Sequence, residues 1–156
     1  MRKVFGQELL SYASKDDNIF LIVGDIGFGI FDEYKVRHRE RFLNIGICEQ
    51  SMISFASGMA LEGFKPVVYS ITPFLIERAF EQIKLDINHQ NANVILVGYD
   101  DYPKLGPTHK CLNIEKTMEL FGNIKSYFPS NLESLKSNLN DAFSRVGPCF
   151  INLKQI

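Results

Sequence analysis

Hydrophobic and polar positions change period repeatedly along the chain. Phe5, Leu9, Tyr12 and Ala13 fall on one face of a helix running to about Lys15. Asp16-Asp17-Asn18 interrupt it, and Ile19-Phe20-Leu21-Ile22-Val23 reads as a buried strand. A loop over Gly24 to Gly29 leads to a mixed, charged stretch, Phe31 to Glu40, with the look of a short helix. Arg41-Phe42-Leu43-Asn44 is a short second strand. Glu49 to Leu61 is apolar and rich in small residues, and it stops at Gly63 with Pro66 beyond, the usual stop signals of a helix. Pro66-Val67-Val68-Tyr69-Ser70-Ile71 is a third strand. Leu75, Ala79, Phe80, Ile83 and Ile87 mark one helical face to about His89. Val94 to Val97 is a fourth strand, and Asp100 to Asn113 a long polar loop. A helix over Ile114 to Phe121, a strand over Ile124 to Phe128, a helical stripe at Leu132, Leu135, Leu139, Phe143 and Val146, and a strand over Cys149 to Leu153 complete the pattern.

Strands alternating with helices predict an α/β domain of three layers: a mostly parallel sheet of about six strands with helices on both faces. Right-handed crossovers put every strand-to-helix loop at one edge of such a sheet, and ligands sit there, at the carboxyl ends of the strands. That edge gathers Asp25, the segment Gly46-Ile47-Cys48-Glu49-Gln50, Tyr69, Thr72, Phe74, Asp100, Asp101, Lys104 and Gly106-Pro107-Thr108-His109. The opposite edge receives Asn18, Lys65, Asn91 and Gly147, which is plain turn chemistry.

Composition narrows the functional classes. The 156 residues make one ordinary domain, and 46% hydrophobic against 22% charged residues makes it globular. Seventeen Lys+Arg balance eighteen Asp+Glu to a net charge of −1, which lacks the electrostatic footprint of a nucleic-acid binder. The longest purely apolar run, Ile19 to Val23, is far below a membrane span, and the first residues lack the apolar core of a signal peptide. Cys48, Cys111 and Cys149 have neither CxxC nor Cys/His spacing, which disfavours a disulfide framework or zinc site and fits a reducing cytoplasm.

Glu49 is the most informative position. A first-turn Glu can simply complement the helix dipole. Its apolar surroundings predict burial, however, and burying a carboxyl group disfavours its ionised form, which suits a group that holds or shares a proton. Asp25 either lines the same edge or caps its loop. Gly27-Phe28-Gly29 is followed by no GxGxxG or P-loop pattern and reads as a turn. Cys48 reads as a small filler. Arg78 can reach an anionic substrate group or pair with Glu77 or Glu81.

Three segments carry a resemblance. Asn44-x-Gly46-Ile47-x-Glu49-Gln50-x-Met52 runs on through Ala56, Gly58, Ala60, Gly63 and Pro66; Arg78-Ala79-Phe80-Glu81-Gln82-Ile83 and Gly106-Pro107-Thr108-His109 follow in order. Together they resemble the pyrimidine-binding domain of transketolase-type thiamine diphosphate enzymes, including transketolase, deoxyxylulose-phosphate synthase and the β-type subunits of 2-oxo acid dehydrogenases. The resemblance covers nearly all of residues 1–156. It implies the thiamine diphosphate-binding fold. It also implies that Glu49 hydrogen-bonds N1′ of the cofactor's aminopyrimidine and shares a proton there, tuning chemistry that belongs to the cofactor. Ile47, Phe74 and Tyr69 become candidates for contact with the pyrimidine, and one extra residue before Arg78 leaves open which aromatic faces the ring. His109 is placed beside the reacting groups of the substrate, with Arg78 and Asp25 as further substrate contacts. Lys104-Leu105 replace an acidic pair of transketolase and Lys110 replaces a Gln, changes that bear on substrate choice.

The resemblance also implies what other polypeptides supply. The family's Gly-Asp-Gly and later Asn hold Mg²⁺ and the diphosphate, whereas this sequence has Gly24-Asp25-Ile26, and Ile156 falls where the family's third domain would begin. The expectation is a split enzyme: thiamine diphosphate shared with a diphosphate-binding subunit, Mg²⁺ held by that partner, and an α2β2-like assembly with a homodimer contact. The small residues Ser54, Ser57, Gly58 and Ala60 then serve either close packing against another subunit or packing inside the domain. Two-carbon ketol transfer between sugar-like substrates is the leading activity. A thiamine-dependent 2-oxo acid decarboxylase or dehydrogenase subunit, and a non-catalytic assembly module, are the alternatives.

Overall fold

In a computed structural model describing residues 1–100 and 105–155, the apolar runs become the strands of one sheet. The strands are β1 (Ile19–Val23), β2 (Phe42–Asn44), β3 (Lys65–Ile71), β4 (Ile95–Tyr99), β5 (Lys125–Tyr127) and β6 (Cys149–Leu153). They pair in the order β2-β1-β3-β4-β6-β5, and every pairing is parallel. The sheet is therefore wholly parallel. Central strands β3, β4 and β6 are buried almost throughout, as both-sided cover requires.

Helices α1 (Arg2–Ala13) and α6 (Leu132–Ser144) cover one face, packing Phe5, Leu9, Leu135 and Leu139 against Leu21, Val67, Val97 and Ile151. A short helix α2 (Asp32–Arg37) adds Tyr34, whose hydroxyl donates to the carbonyl of Ile19. Helix α3 (Glu49–Leu61) covers the other face with Met52, Ile53 and Ala56 set against Ile22 and Val68. Each such buried side chain contributes about 1.5–3 kcal/mol of transfer free energy. Helix α6 starts on a full capping box: Asn131 accepts from the Ser134 amide, and the Ser134 hydroxyl accepts from the Asn131 amide.

The segment from Pro73 to His89 departs from the sequence expectation of one α-helix. Pro73–Glu77 and Ile83–His89 are wound as π-helix, with one short α-turn, α4 (Phe80–Gln82), between them. The apolar stripe Leu75, Ala79, Ile83, Ile87 is fully buried and repeats every four residues, a spacing that drifts around a helix of about 3.6 residues per turn. Wider winding keeps it facing the sheet. The stretch after β4 holds a 3₁₀ turn, Pro107–His109, and α5 (Ile114–Met118) follows. Asp101 and Lys104 lie outside the described residues.

The small residues of α3 partly serve the inside of the chain. Ser57 donates to the backbone carbonyl of Asp86 at 2.7 Å and Ser54 to the Asp86 carboxylate. Cys48 is half-buried, with its Sγ 2.9 Å from the Ile45 carbonyl.

Candidate active site

Strand order reverses between β1 and β3: the chain leaves β1 outward to β2 and returns to β3 on the other side. The carboxyl ends of β1 and β3 diverge there, and a crevice opens at such a switch point. A cleft of about 120 Å³ occupies it, lined by Gly24, Asp25, Ile26, Ile47, Glu49, Ser70, Ile71 and Phe74. The connections that follow β1, β2 and β3 thus build its walls.

Glu49 lies at the bottom, only 1% exposed at the first turn of α3. Its Oε1 accepts a hydrogen bond from the Ser70 hydroxyl at 3.2 Å, and its Oε2 accepts from Arg78 Nη1 at 2.7 Å. Burial of a carboxylate is expensive unless charge and hydrogen bonds compensate it, and Arg78 and Ser70 supply both. Sequence proximity offers Glu77 or Glu81 as the partner of Arg78. The structure corrects this: Arg78 reaches inward to Glu49, while Glu77 accepts the backbone N–H of Leu112 at 2.7 Å.

The Arg78 guanidinium also lies 4.1 Å from the centroid of the Phe74 ring, a cation–π contact, and the His109 ring meets Phe74 edge-on at 4.8 Å. Pro107–His109 forms its 3₁₀ turn after Gly106, whose φ of 89° is of the kind glycine readily adopts. Glu49, Arg78, Phe74 and His109 therefore touch in sequence, from the cleft floor to its mouth.

Asp25 stands at the opposite wall with φ of 54°, uncommon for a non-glycine residue. Asn44 pins it: the Asp25 amide donates to Asn44 Oδ1 at 3.0 Å, and Asn44 Nδ2 donates to Asp25 Oδ1 at 3.1 Å. Asn44 Oδ1 also accepts from the Gly46 amide. Ile47, 71% exposed, forms the rim.

Tyr69 is not in the cleft. Strand residues alternate in facing, so Ser70 points toward Glu49 and Tyr69 toward α1. There Tyr69 is fully buried, stacked on Phe5 at 6.1 Å and edge-on to Phe31 at 4.9 Å. Phe74, half-buried, is the aromatic that lines the cleft.

Sequence reasoning missed Ser70 as a partner of Glu49. The signal was a single hydroxyl inside the apolar run Val67-Val68-Tyr69-Ser70-Ile71. It also missed a buried polar link nearby, where Thr72 donates to Asn152 at 2.7 Å and Asn152 Nδ2 lies 3.4 Å from Asp100. Among the described residues, no three His, Cys, Asp or Glu side chains cluster closely enough to hold a metal ion, and no helix is long and apolar enough to cross a membrane.

This arrangement offers a buried, doubly held carboxyl group, an aromatic wall, apolar sides and a half-buried His at the entrance. Such a cleft suits a flat heteroaromatic ring with a nitrogen to meet the carboxyl.

Comparison with known proteins agrees. The transketolase pyrimidine-binding domain model matches residues 1–155. One of the two subunits of an apulose-4-phosphate transketolase from Actinobacillus succinogenes is 38% identical over 117 residues, covering 73% of this chain and 38% of that protein. A 1-deoxy-D-xylulose-5-phosphate synthase of Oleidesulfovibrio alaskensis is 33% identical over 158 residues, covering 96% of this chain and 24% of the synthase. The chain thus spans well under half the length of these curated relatives. Among solved structures, a split gene transketolase described as an inactive beta4 tetramer superposes with a TM-score of 0.88 at 23% identity, covering 98% of this chain and 50% of its own. Transketolase from Leishmania mexicana gives a TM-score of 0.85 at 18% identity, covering 98% of this chain and 25% of its own, and both structures speak for the fold alone. With its all-parallel sheet, its cleft at the β1/β3 switch point and a family match running almost end to end, this chain belongs to the transketolase pyrimidine-binding domain family.

Proposed function

We propose that the chain supplies the pyrimidine side of a thiamine diphosphate-dependent, transketolase-like transferase, acting with a separate subunit that carries the diphosphate-binding domain and Mg²⁺. The observation that carries this reading is Glu49: a carboxyl group 1% exposed, at the bottom of a cleft with one aromatic and several aliphatic walls. These residues fit an aminopyrimidine in kind, since they offer a hydrogen-bonding carboxyl for a ring nitrogen and Phe74 for the ring face. When bound, thiamine diphosphate supplies carbanion-stabilising chemistry that no side chain can provide.

The chain's own residues do the rest. Glu49 holds or shares a proton at a ring nitrogen. Ser70 and Arg78 fix the rotamer of that carboxyl group. Phe74, Ile26 and Ile71 exclude water. His109 exchanges hydrogen bonds with hydroxyl or carbonyl groups of the substrate at the mouth, and Asp25, held by Asn44, faces them from the other wall. Two-carbon ketol transfer between sugar-like substrates is the favoured reaction. The sequence Gly106-Pro107-Thr108-His109 supports it, as does a 38% identical relative that is named as a transketolase component. The partner is assigned the diphosphate because Gly24-Asp25-Ile26 stands where the family has Gly-Asp-Gly.

The test uses the chain mixed with a subunit carrying Gly-Asp-Gly, thiamine diphosphate and Mg²⁺. Cofactor-dependent co-elution and ketol transfer are expected. Glu49→Gln, which keeps the shape, is expected to lower turnover by about 10²–10⁴-fold with the melting temperature little changed. Normal turnover by Glu49→Gln would refute the role of this residue. Co-elution without turnover, with any ketose or 2-oxo acid donor, would favour an assembly module instead.

A further inference from the structure

Glu49 and Arg78 form an ion pair of very unequal burial. The carboxylate is 1% exposed, while the guanidinium side chain is 39% exposed. Desolvating a carboxylate is costly, so Glu49 requires a partner at all times. Arg78 has no such need, because water reaches more than a third of it. The pair is therefore asymmetric: any ligand that satisfies Glu49 can take the place of Arg78, whose guanidinium then rehydrates.

The consequences run outward along the same contacts. Arg78 rests on the face of Phe74 at 4.1 Å, and Phe74 holds the edge of His109 at 4.8 Å. All three contacts hang on one π-helical turn, Pro73–Glu77, with Arg78 closing it through its backbone N–H to Pro73 O at 3.2 Å. Glu77 of that turn also holds the Leu112 amide, on the loop beyond His109. One wide helical turn thus contacts the cleft floor through Arg78 and the His109 loop through Phe74 and Glu77. π-Turns store irregular geometry and are frequent at functional sites.

We propose that Arg78 is a displaceable counter-ion of Glu49: a heteroaromatic ring that hydrogen-bonds the Glu49 carboxyl releases Arg78, which unclamps Phe74 and repositions His109 at the cleft mouth. Arg78 is then a positioning residue that couples occupancy of the cleft to the placement of His109. This rests on the reading of the cleft as an aminopyrimidine site.

The experiment is NMR on the full chain, with the aminopyrimidine fragment of thiamine as probe because it lacks the charged thiazolium. The chain has three histidines, so the His109 ring signal is assigned by one substitution. Without probe, a slowly exchanging Arg78 guanidinium signal is expected, lost in Glu49→Gln. Addition of probe is expected to remove that signal and shift His109 Hε1. Arg78→Met should show the shifted His109 signal without probe, and Arg78→Lys, which keeps the charge, should restore most of the wild-type position. Arg78→Met should bind the probe roughly fivefold tighter (about 1 kcal/mol), the scale of a partly exposed ion pair. Probe binding with the Arg78 signal intact, or weaker binding by Arg78→Met, overturns the counter-ion role and leaves the aminopyrimidine reading standing. Absence of probe binding in both forms, with the Arg78 signal present, overturns both.

Discussion

Gly24 lies at the end of β1 on the cleft floor, and replacing it with alanine separates the fold from the site. A Cβ there would stand 3.5 Å from Glu49 Oε1, from Gly46 O and from Ser70 Oγ, all ordinary contact distances. The backbone at Gly24 lies outside the positive-φ region, so alanine fits without strain. Gly→Ala at a compatible position raises stability by about 0.4–1 kcal/mol through the unfolded state. A methyl set among three oxygens costs them some solvation, and the two effects largely offset. The net change is expected within about 1 kcal/mol, or roughly 2–4 °C in melting temperature for a domain of this size. Binding responds differently. A ring nitrogen must approach a carboxylate oxygen to about 2.7–3.2 Å, while carbon atoms pack no closer than about 3.5 Å. The new methyl occupies that approach. Calorimetric melting of the chain and titration of thiamine diphosphate into the assembled pair give the two readouts. Gly24→Ala is expected to melt like the wild type and to bind cofactor at least about tenfold more weakly. An unchanged dissociation constant would show that the Gly24 face of the cleft takes no ligand. A loss of more than about 3 kcal/mol in stability would show that the packing around Gly24 is tighter than these distances allow.

Two further outcomes concern the core. Gly98 sits in β4 under the buried Thr72–Asn152 pair, and a Cβ there collides with the Thr72 hydroxyl and comes within 3.2 Å of Phe150. Because Thr72 is held by its 2.7 Å bond to Asn152, Gly98→Ala is expected to lower stability by about 1–3 kcal/mol in urea denaturation; an unchanged midpoint would mean that Thr72 rotates freely. Cys149 is fully buried in β6, and desolvation pushes its thiol from 9.0 up to about 12. The unfolded chain gives up this proton first, so its contribution to stability is complete below pH 9.0 and is lost as pH rises toward about 12. Alkaline destabilisation in that window is expected to be shallower in Cys149→Ala than in the wild type, which melting temperatures across the pH range will show.

The chain's own pattern carried the architecture. Five-residue apolar runs such as Ile19–Val23, separated by helical stripes, require a parallel sheet covered on both faces, since such strands have no polar side to show to water. Right-handed crossovers then fix which loops share an edge, which is why Glu49, Phe74 and His109 were legible as neighbours. Short-range signals also placed Asn131 at the start of α6 and Gly63 just beyond α3.

Other features depended on how distant segments meet. Period-two alternation says that Tyr69 and Ser70 face opposite ways, but only the side on which α3 crosses the sheet decides that Ser70 meets Glu49 and Tyr69 meets Phe5. Arg78 had acidic residues close by in sequence, yet it pairs across 29 positions with Glu49, because a buried carboxylate demands a counter-charge more strongly than an exposed one does. The four-residue stripe of Leu75 to Ile87 was visible, whereas its π-winding follows from packing a helix against the sheet while Arg78 and Phe74 reach the cleft. Local preference sets the elements because it acts between near neighbours; the site is settled by desolvation and charge, which act between whatever groups the fold brings together.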